Sequence, residues 1–287
     1  MRQVQPIDGN LFLGMTGKRR SRCSAWNRHS ETWRLCHADF VSDEKLDLVA
    51  NRLKRASRLT ILTGAGVSAA SGVPTFRGSG GLWRQFRAED LATPEAFSRD
   101  HVLVWEWYAW RRELIAACKP NPAHDVIARW SKTFERCTVI TQNVDDLHVQ
   151  AGTANLLRLH GSLWELSCWR MCGVPTWRDE SVPLQKLPPA CRACGGLARP
   201  GVVWFGESLP RRELDAAAAV CDCDVFLTVG TSAVVYPAAG LVHEARHRRA
   251  FTAELNLETT PASDAVDVAI QGPADVLLAN IARRLTP

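Results

Sequence analysis

Cys168 and Cys172, separated by eighteen intervening residues from Cys191 and Cys194, form with them two close cysteine pairs in a stretch rich in Pro and Trp and without apolar periodicity. Four thiolates at that separation suit a closed tetrahedral site, in which one structural Zn2+ takes the place of a missing apolar core. With four sulfurs bound, no coordination position is left for chemistry. Cys221 and Cys223 alternate into a strand pattern and read as core packing instead. The chain has 10 Cys and no secretory signal, which fits free thiols and metal ligands in a cytoplasmic protein rather than a disulfide framework.

Three further groups sit where strand patterns end. Gly64, Ala65, Gly66 and Ser68 follow an apolar β-rich run, and the spacing from Gly64 through Gly66 to Ala69 matches the strand-to-helix loop that offers backbone N–H groups and a helix N-terminus to a pyrophosphate. The same glycines also fit a tight corner with no ligand. The acidic ribose ligand found about twenty residues after such a loop has no good counterpart, because Glu89 and Asp90 lie outside any strand pattern. That argues against an ordinary hydride-transfer dehydrogenase. Gln142, Asn143 and Asp145 end a second strand, where polar side chains of a doubly wound sheet face its ligand crevice. Asn143 ahead of Asp145 and Asp146 is equally good helix N-cap chemistry. His160, beside Gly161, is of the type that serves as general base near its unperturbed pKa of about 6.5. It competes with seven other histidines, and a loop or capping role fits its spacing as well.

The elements that must hold these groups follow from apolar patterning. Short β-rich runs at Leu59–Thr63, Thr138–Thr141, Val225–Val229, Phe251–Leu255 and Val266–Ile270 alternate with helical patterns at His101–Cys118, Pro122–Phe134, Arg211–Val220 and Ala274–Arg284. Such alternation predicts an α/β fold with a Rossmann-like, doubly wound parallel sheet. Two stretches interrupt it, about 74–120 and 167–200, and are expected to build a smaller inserted zinc-ribbon and helical domain. A helix start at Ser42–Glu44 places the beginning of the folded part near residue 41, with residues 1–40 as a disordered arm. That arm holds seven Lys/Arg against three Asp/Glu, leaving 28 against 27 in the remainder, so the net charge of +5 does not mark the body as a nucleic-acid binder. The longest uncharged stretch, Val225–Val242, contains Gly230, Thr231, Ser232 and Pro237, so no membrane span is expected.

Taken together, the motifs resemble the sirtuin family of NAD-dependent protein lysine deacylases over about residues 41–286. The resemblance is carried by Gly64–Ser68 with Pro74–Arg77, Thr141–Asp145, His160 with Gly161, the four cysteines, Val202–Glu207, Gly230–Ser232 and Asn256–Glu258. Leu91–Phe97, Trp105–Arg112 and Val235–Ala239 are similar to the class III branch. Asp146 stands where many members have Gly, and three residues rather than two separate Cys168 from Cys172.

The resemblance implies that Gly64, Ala65, Gly66, Ser68, Thr75, Phe76, Arg77, Gln142, Gly230, Thr231, Ser232, Asn256, Leu257, Glu258 and Ala274 hold NAD. Asn143 and Asp145 would lie near the nicotinamide and its ribose, Asn143 together with His160 as catalytic residues. It further implies attack of the substrate's acyl oxygen on the ribose carbon as nicotinamide leaves. His160 then takes a proton from a ribose hydroxyl, which attacks the resulting imidate, giving free lysine, nicotinamide and an O-acyl-ADP-ribose. The implied partners are acyl-lysine proteins, paired through Val202–Glu207 as an added strand, with Phe205 lining the acyl-lysine channel. A protein ADP-ribosyltransferase is the alternative use of the same NAD crevice.

Tyr108 and Arg111 lie three apart in a helical pattern and so share a face. Spacing alone favours a plain reading, with Tyr108 packed among Trp105, Trp107 and Trp110 and Arg111 on the surface. The class III resemblance implies instead that the pair recognises acyl groups ending in a carboxylate, so that succinyl- and malonyl-lysine are preferred over acetyl-lysine.

Overall fold

The computed structural model describes residues 43–74 and 86–285, together with the backbone of Leu82–Trp83. The expected contacts Thr75, Phe76 and Arg77 and the N-terminal arm lie outside the described residues.

Six strands form one all-parallel sheet: β1 (Arg58–Thr63), β4 (Arg136–Thr141), β5 (Leu156–Arg158), β9 (Val225–Val229), β10 (Phe251–Asn256) and β11 (Val268–Gln271), in the spatial order β11-β10-β9-β1-β4-β5. The chain builds outward from β1 through β4 to β5, then returns to the other side of β1 and builds outward again. The order therefore reverses between β1 and β9, and the crevice at that point is where doubly wound sheets bind ligands.

Side chains alternate across each strand, so a sheet covered on both faces reads as a continuous apolar run. Leu59 and Ile61 join one core with Val139, Val225 and Leu227, covered by α1 (Asp43–Lys54), α5 (Pro122–Thr133) and α9 (Ala274–Leu285). Leu62, Ile140 and Phe226 face the opposite core with Cys221 and Cys223, covered by α7 (Arg211–Ala219) and α8 (Leu241–His247). Helix α5 starts at Asn121, whose Oδ1 accepts from Ala123 N at 2.9 Å, while its Nδ2 donates to Val67 O at 2.9 Å. The cap thus also anchors the loop after β1.

The two interrupting stretches share a third core. It gathers α2 (Ala88–Leu91), α3 (Pro94–Arg99) and α4 (His101–Ala116) around Phe97, Trp105, Trp107 and Tyr108. Against these pack Leu163, Trp164 and Val202 from an antiparallel sheet of β6 (Gly161–Cys168), β7 (Trp177–Arg178) and β8 (Ala198–Val202), ordered β7-β6-β8, and Trp204 just after β8. The hairpin β2 (Leu82–Trp83) and β3 (Phe86–Arg87) completes the strands. Helix α6 (Leu147–Gln150) follows β4.

Three expectations change. The loop after β1 leads into a 3-10 helix, Ala65–Ser71, rather than an α-helix, and Gly72 ends it at φ 88, in the left-handed region that favours glycine. The last strand starts at Val268; Asp267 just before it is tied to Thr252, its N donating to Thr252 O at 3.1 Å and its Oδ2 accepting from Thr252 N (2.8 Å) and Thr252 Oγ1 (2.9 Å). Strand β5 has three residues, too few for any period to show. Among the described residues no helix is long and apolar enough to cross a membrane.

Candidate functional site

A cavity of about 710 Å³ opens at the point where the sheet order reverses, within the size range of small-molecule and cofactor sites. One end is walled by the C-terminal ends of four strands. Gly64, Ala65 and Gly66 follow β1, Gln142 and Asn143 follow β4, Gly230, Thr231 and Ser232 follow β9, and Asn256, Leu257 and Glu258 end or follow β10; Ala274, at the start of α9, joins them. The other end is walled by Tyr108, Arg111, Val202 and Phe205, and His160 also lines the space. Ser68 and Asp145 do not line it.

The glycine loop is shaped by its neighbour. Gly66 N donates to Gly230 O at 2.7 Å and Gly64 N to Val229 O at 3.1 Å, so two of the N–H groups expected to meet an anion are already bonded. A Cβ on Gly66 would come within 2.8 Å of the Gly230 backbone, and one on Gly230, itself at φ 59, within 2.4 Å of Val67 N. Glycine is required because two backbones touch across the crevice floor. With a 3-10 helix behind it, the loop does not present the dipole of an α-helix.

Below that floor lies a buried polar cluster. Ser68 Oγ donates to Asp145 Oδ2 at 2.7 Å, and Asn143 Nδ2 donates to Ser68 Oγ at 3.1 Å. Asp145 Oδ1 accepts from Leu147 N at 2.9 Å, and Asp145 O accepts from Trp164 Nε1 at 3.1 Å. Burial raises the Asp145 carboxyl, against the opposing pull of the Leu147 N–H and the Ser68 hydroxyl. Ser68 and Asp145 thus hold Asn143 in place from beneath. Asn143 is not the cap of α6, which is preceded by Asp146.

His160 closes the turn into β6, and its Nδ1 lies 2.9 Å from Gln142 O. A carbonyl can only accept, so Nδ1 carries the proton and the neutral ring keeps its lone pair on Nε2. Burial lowers its pKa, and the hydrogen bond to Gln142 partly restores it. Of the other histidines, His124 and His148 stack edge to face at 4.9 Å inside the protein, pushed down by burial to about 4 and about 3.

At the far end, Tyr108 is buried among Trp105 and Trp107, with ring centroids 6.3 and 4.6 Å away, yet still reaches the cavity wall. Arg111 is half-buried rather than on the open surface, its guanidinium 5.0 Å from the Trp107 ring centroid, and burial lowers its pKa. Both line the cavity. Phe205 is exposed at the mouth, and Val202 ends β8, an edge strand of its sheet. Glu89, set aside in the sequence as a ribose ligand, also lines the cavity, as do Trp204 and Tyr236, to which the sequence assigns no role of their own within the Val202–Glu207 and Val235–Ala239 motifs, and Asp275, which it does not single out. An indole between Val202 and Phe205 was the available signal, since a buried Trp N–H needs an acceptor.

The four cysteines meet at the tip of the small sheet. Their Sγ atoms lie within 4.8 Å of one another, with Cys168–Cys194 at 3.6 Å and Cys172–Cys191 at 3.8 Å. Tetrahedral zinc with Zn–S near 2.3 Å sets its sulfurs about 3.8 Å apart, so the set fits a structural Zn2+. Backbone N–H groups of Cys194 and Ala193 hold Cys191 below the ordinary thiol range, which favours a thiolate ligand.

Asp146 joins this module to the large sheet. It adopts φ 62, and its buried carboxylate contacts Arg158 Nη1 on β5 at 3.4 Å and Arg178 Nη1 on β7 at 2.8 Å. Arg158 Nη2 also reaches Glu165 on β6 at 2.7 Å.

A doubly wound sheet with a cavity at its reversal point, joined to a four-cysteine module, defines a nucleotide-binding α/β protein with a structural metal centre. The Sir2 family model matches residues 64–237. The NAD-dependent protein deacylase of Aquifex aeolicus (strain VF5) is 49% identical over 211 residues, spanning 73% of this chain and 87% of its own. NAD-dependent protein deacylase sirtuin-5, mitochondrial, of Canis lupus familiaris is 45% identical over 273 residues, 85% of this chain and 87% of its own. Among solved structures, a Sir2 homolog–NAD complex superposes with a TM-score of 0.77 at 43% identity, over 84% of this chain and 95% of that one. The chain belongs to the Sir2 family, the sirtuins, and its likeness to sirtuin-5 agrees with the class III resemblance of its sequence.

Proposed function

We propose that this chain is an NAD-dependent protein lysine deacylase that prefers succinyl and malonyl groups to acetyl. One observation carries the reading: a single cavity joins the glycine-loop crevice, His160, and a donor wall made by Tyr108 and Arg111. The relatives named as NAD-dependent protein deacylases, and the Sir2 homolog solved with NAD, support the coarser activity.

NAD, when bound, supplies the ribose that receives the acyl group. The residues around Gly64, Gly230 and Asn256 would hold its adenosine and pyrophosphate portions, and Asn143, braced by Ser68, would face the nicotinamide end. His160 acts through Nε2, the only ring nitrogen without a proton, to take the proton of a ribose hydroxyl. Its depressed pKa keeps that lone pair available at neutral pH. The free edge of β8 offers backbone groups to an extended peptide, so the acyl-lysine enters past Phe205. Arg111 then meets a terminal carboxylate in the two-pronged geometry available to a guanidinium but not to an ammonium.

The test is incubation with NAD and matched acetyl-, malonyl- and succinyl-lysine peptides, with products identified by mass. Free lysine with O-acyl-ADP-ribose, fastest from the succinyl or malonyl peptide, is expected. Added ADP-ribose on protein with the acyl group retained would establish a transferase instead.

A further inference from the structure

Tyr108 meets Trp204 inside the cavity wall. The indole Nε1–H donates to the phenol oxygen at 2.9 Å, and both residues are buried. An indole N–H can only donate, whereas a phenol has one O–H and two lone pairs. The Trp204 bond therefore occupies a lone pair and turns the Tyr108 O–H away from the indole. Among the described residues Trp204 is the hydrogen-bond partner of Tyr108, and both residues line the cavity. Burial pushes the phenol up to about 12, and it stays protonated at neutral pH.

Trp204 is itself clamped. The Arg199 guanidinium lies 3.6 Å from the Trp204 ring centroid. Arg199 donates through Nη1 to Glu207 Oε1 at 2.6 Å and through Nη2 to Glu207 Oε2 at 2.8 Å. That same Oε2 accepts from Trp204 N at 2.8 Å, closing a loop around the residue. The outer ring face packs against Phe97, with centroids 5.2 Å apart. An indole held this way cannot swing off its acceptor.

We infer that Trp204 biases the hydrogen-bond polarity of the acyl end: by donating to Tyr108 it turns the phenol O–H away from the indole, so that the phenol acts mainly as a donor beside the Arg111 guanidinium. That end then takes groups that accept and rejects groups that must donate. The inference rests on the carboxylate reading proposed above, and it adds a positioning residue and a finer discrimination. A terminal carboxylate is preferred to the isosteric terminal carboxamide, whose NH2 would meet the phenol O–H and the guanidinium.

The experiment compares kcat/KM of the full chain, with NAD, on a succinyl-lysine peptide and on the same peptide carrying a succinamyl group. Wild type should favour the carboxylate. Trp204→Phe frees the phenol to reverse and should narrow the preference by about three- to tenfold, the discrimination of one neutral hydrogen bond. In a Tyr108→Phe background the same change should not move the ratio, which a packing role for Trp204 would not reproduce. An unchanged ratio in Trp204→Phe, or equal narrowing without the phenol, overturns the inference while leaving the carboxylate reading standing. If wild type itself shows no preference for succinyl over succinamyl and acetyl, that reading falls and takes this one with it. Should Trp204→Phe not fold, the 15N indole resonance of Trp204 in the wild-type chain, assigned through Tyr108→Phe, gives the answer. It should keep its hydrogen-bonded shift when succinyl peptide binds, and loss of that shift on binding overturns the inference.

Discussion

Replacing Arg111 with Met separates recognition of the acyl group from the rest of the reaction. The guanidinium lies in a poorly solvated wall, since burial lowers its pKa against the opposing effects of Tyr108 and Asp145. A ligand carboxylate placed there forms a charge-assisted contact, worth about 1.5–3 kcal/mol net. Removing it should lower kcat/KM for a succinyl-lysine peptide by about tenfold to a hundredfold. Met retains an unbranched stem to lie over Trp107, now 5.0 Å from the guanidinium carbon, so the aromatic packing around Tyr108 is kept. The loss on the matching acetyl-lysine peptide should be several-fold smaller, and selectivity should collapse. Parallel assays on the two peptides, with zinc content and melting temperature as checks on folding, decide it. Equal losses on both substrates would mean that Arg111 serves the fold, and the carboxylate argument would be wrong.

Elemental analysis should find one zinc per chain, and Cys191→Ala should give insoluble or loosened protein, because a structural site contributes folding free energy directly; a well-folded, metal-free, fully active variant would contradict this. His160→Ala should keep its melting temperature and NAD binding but lose about 10²–10⁴-fold in turnover, and near-normal turnover would remove the assignment. Because burial lowers the His160 pKa, the acid limb of the wild-type kcat/KM profile should lie below the ordinary imidazole range, with activity held as pH rises. Stability should also fall on acidification: His124 and His148 stay neutral in the fold down to about 4 and about 3, whereas the unfolded chain takes up their protons near 6.5. The unfolded state then binds more protons in that window, so each histidine costs about 1.4 kcal/mol per pH unit as pH drops through it. Asp145, raised by burial, opposes the trend. Urea unfolding free energies from pH 7 to 5 measure the slope, and a flat or rising stability would refute it.

Much of the frame is legible because buried parallel strands write themselves as short apolar runs. Val225–Val229 appears in the sequence with the boundaries it has in the fold. The crevice is legible too, since Gly64, Gln142, Gly230 and Asn256 all stand where such runs stop. What escapes is set by contacts across the chain. The 3-10 turn after Gly64 reflects the approach of Gly230, more than 160 residues on, and no local pattern encodes it. Tyr108 shows both faces at once: its spacing correctly suggests an aromatic core, while its place in the cavity wall depends on Trp204, 96 residues away. Asp146 looks like an ordinary acid at a helix start, and only the fold reveals Arg158 and Arg178 converging on it.

That convergence has a thermodynamic consequence. The carboxylate of Asp146 adjoins Asp145, which braces Asn143 through Ser68, and on its other side it is tied to Arg178 in the cysteine module. That bridge should couple local opening of the cavity floor to that of the metal module. A chelator that never enters the cavity should then loosen the Gln142–Asp146 amides to hydrogen exchange. Linkage is reciprocal, so if that coupling holds, a dinucleotide bound above the floor should tighten the hold of four sulfurs on an ion it does not touch.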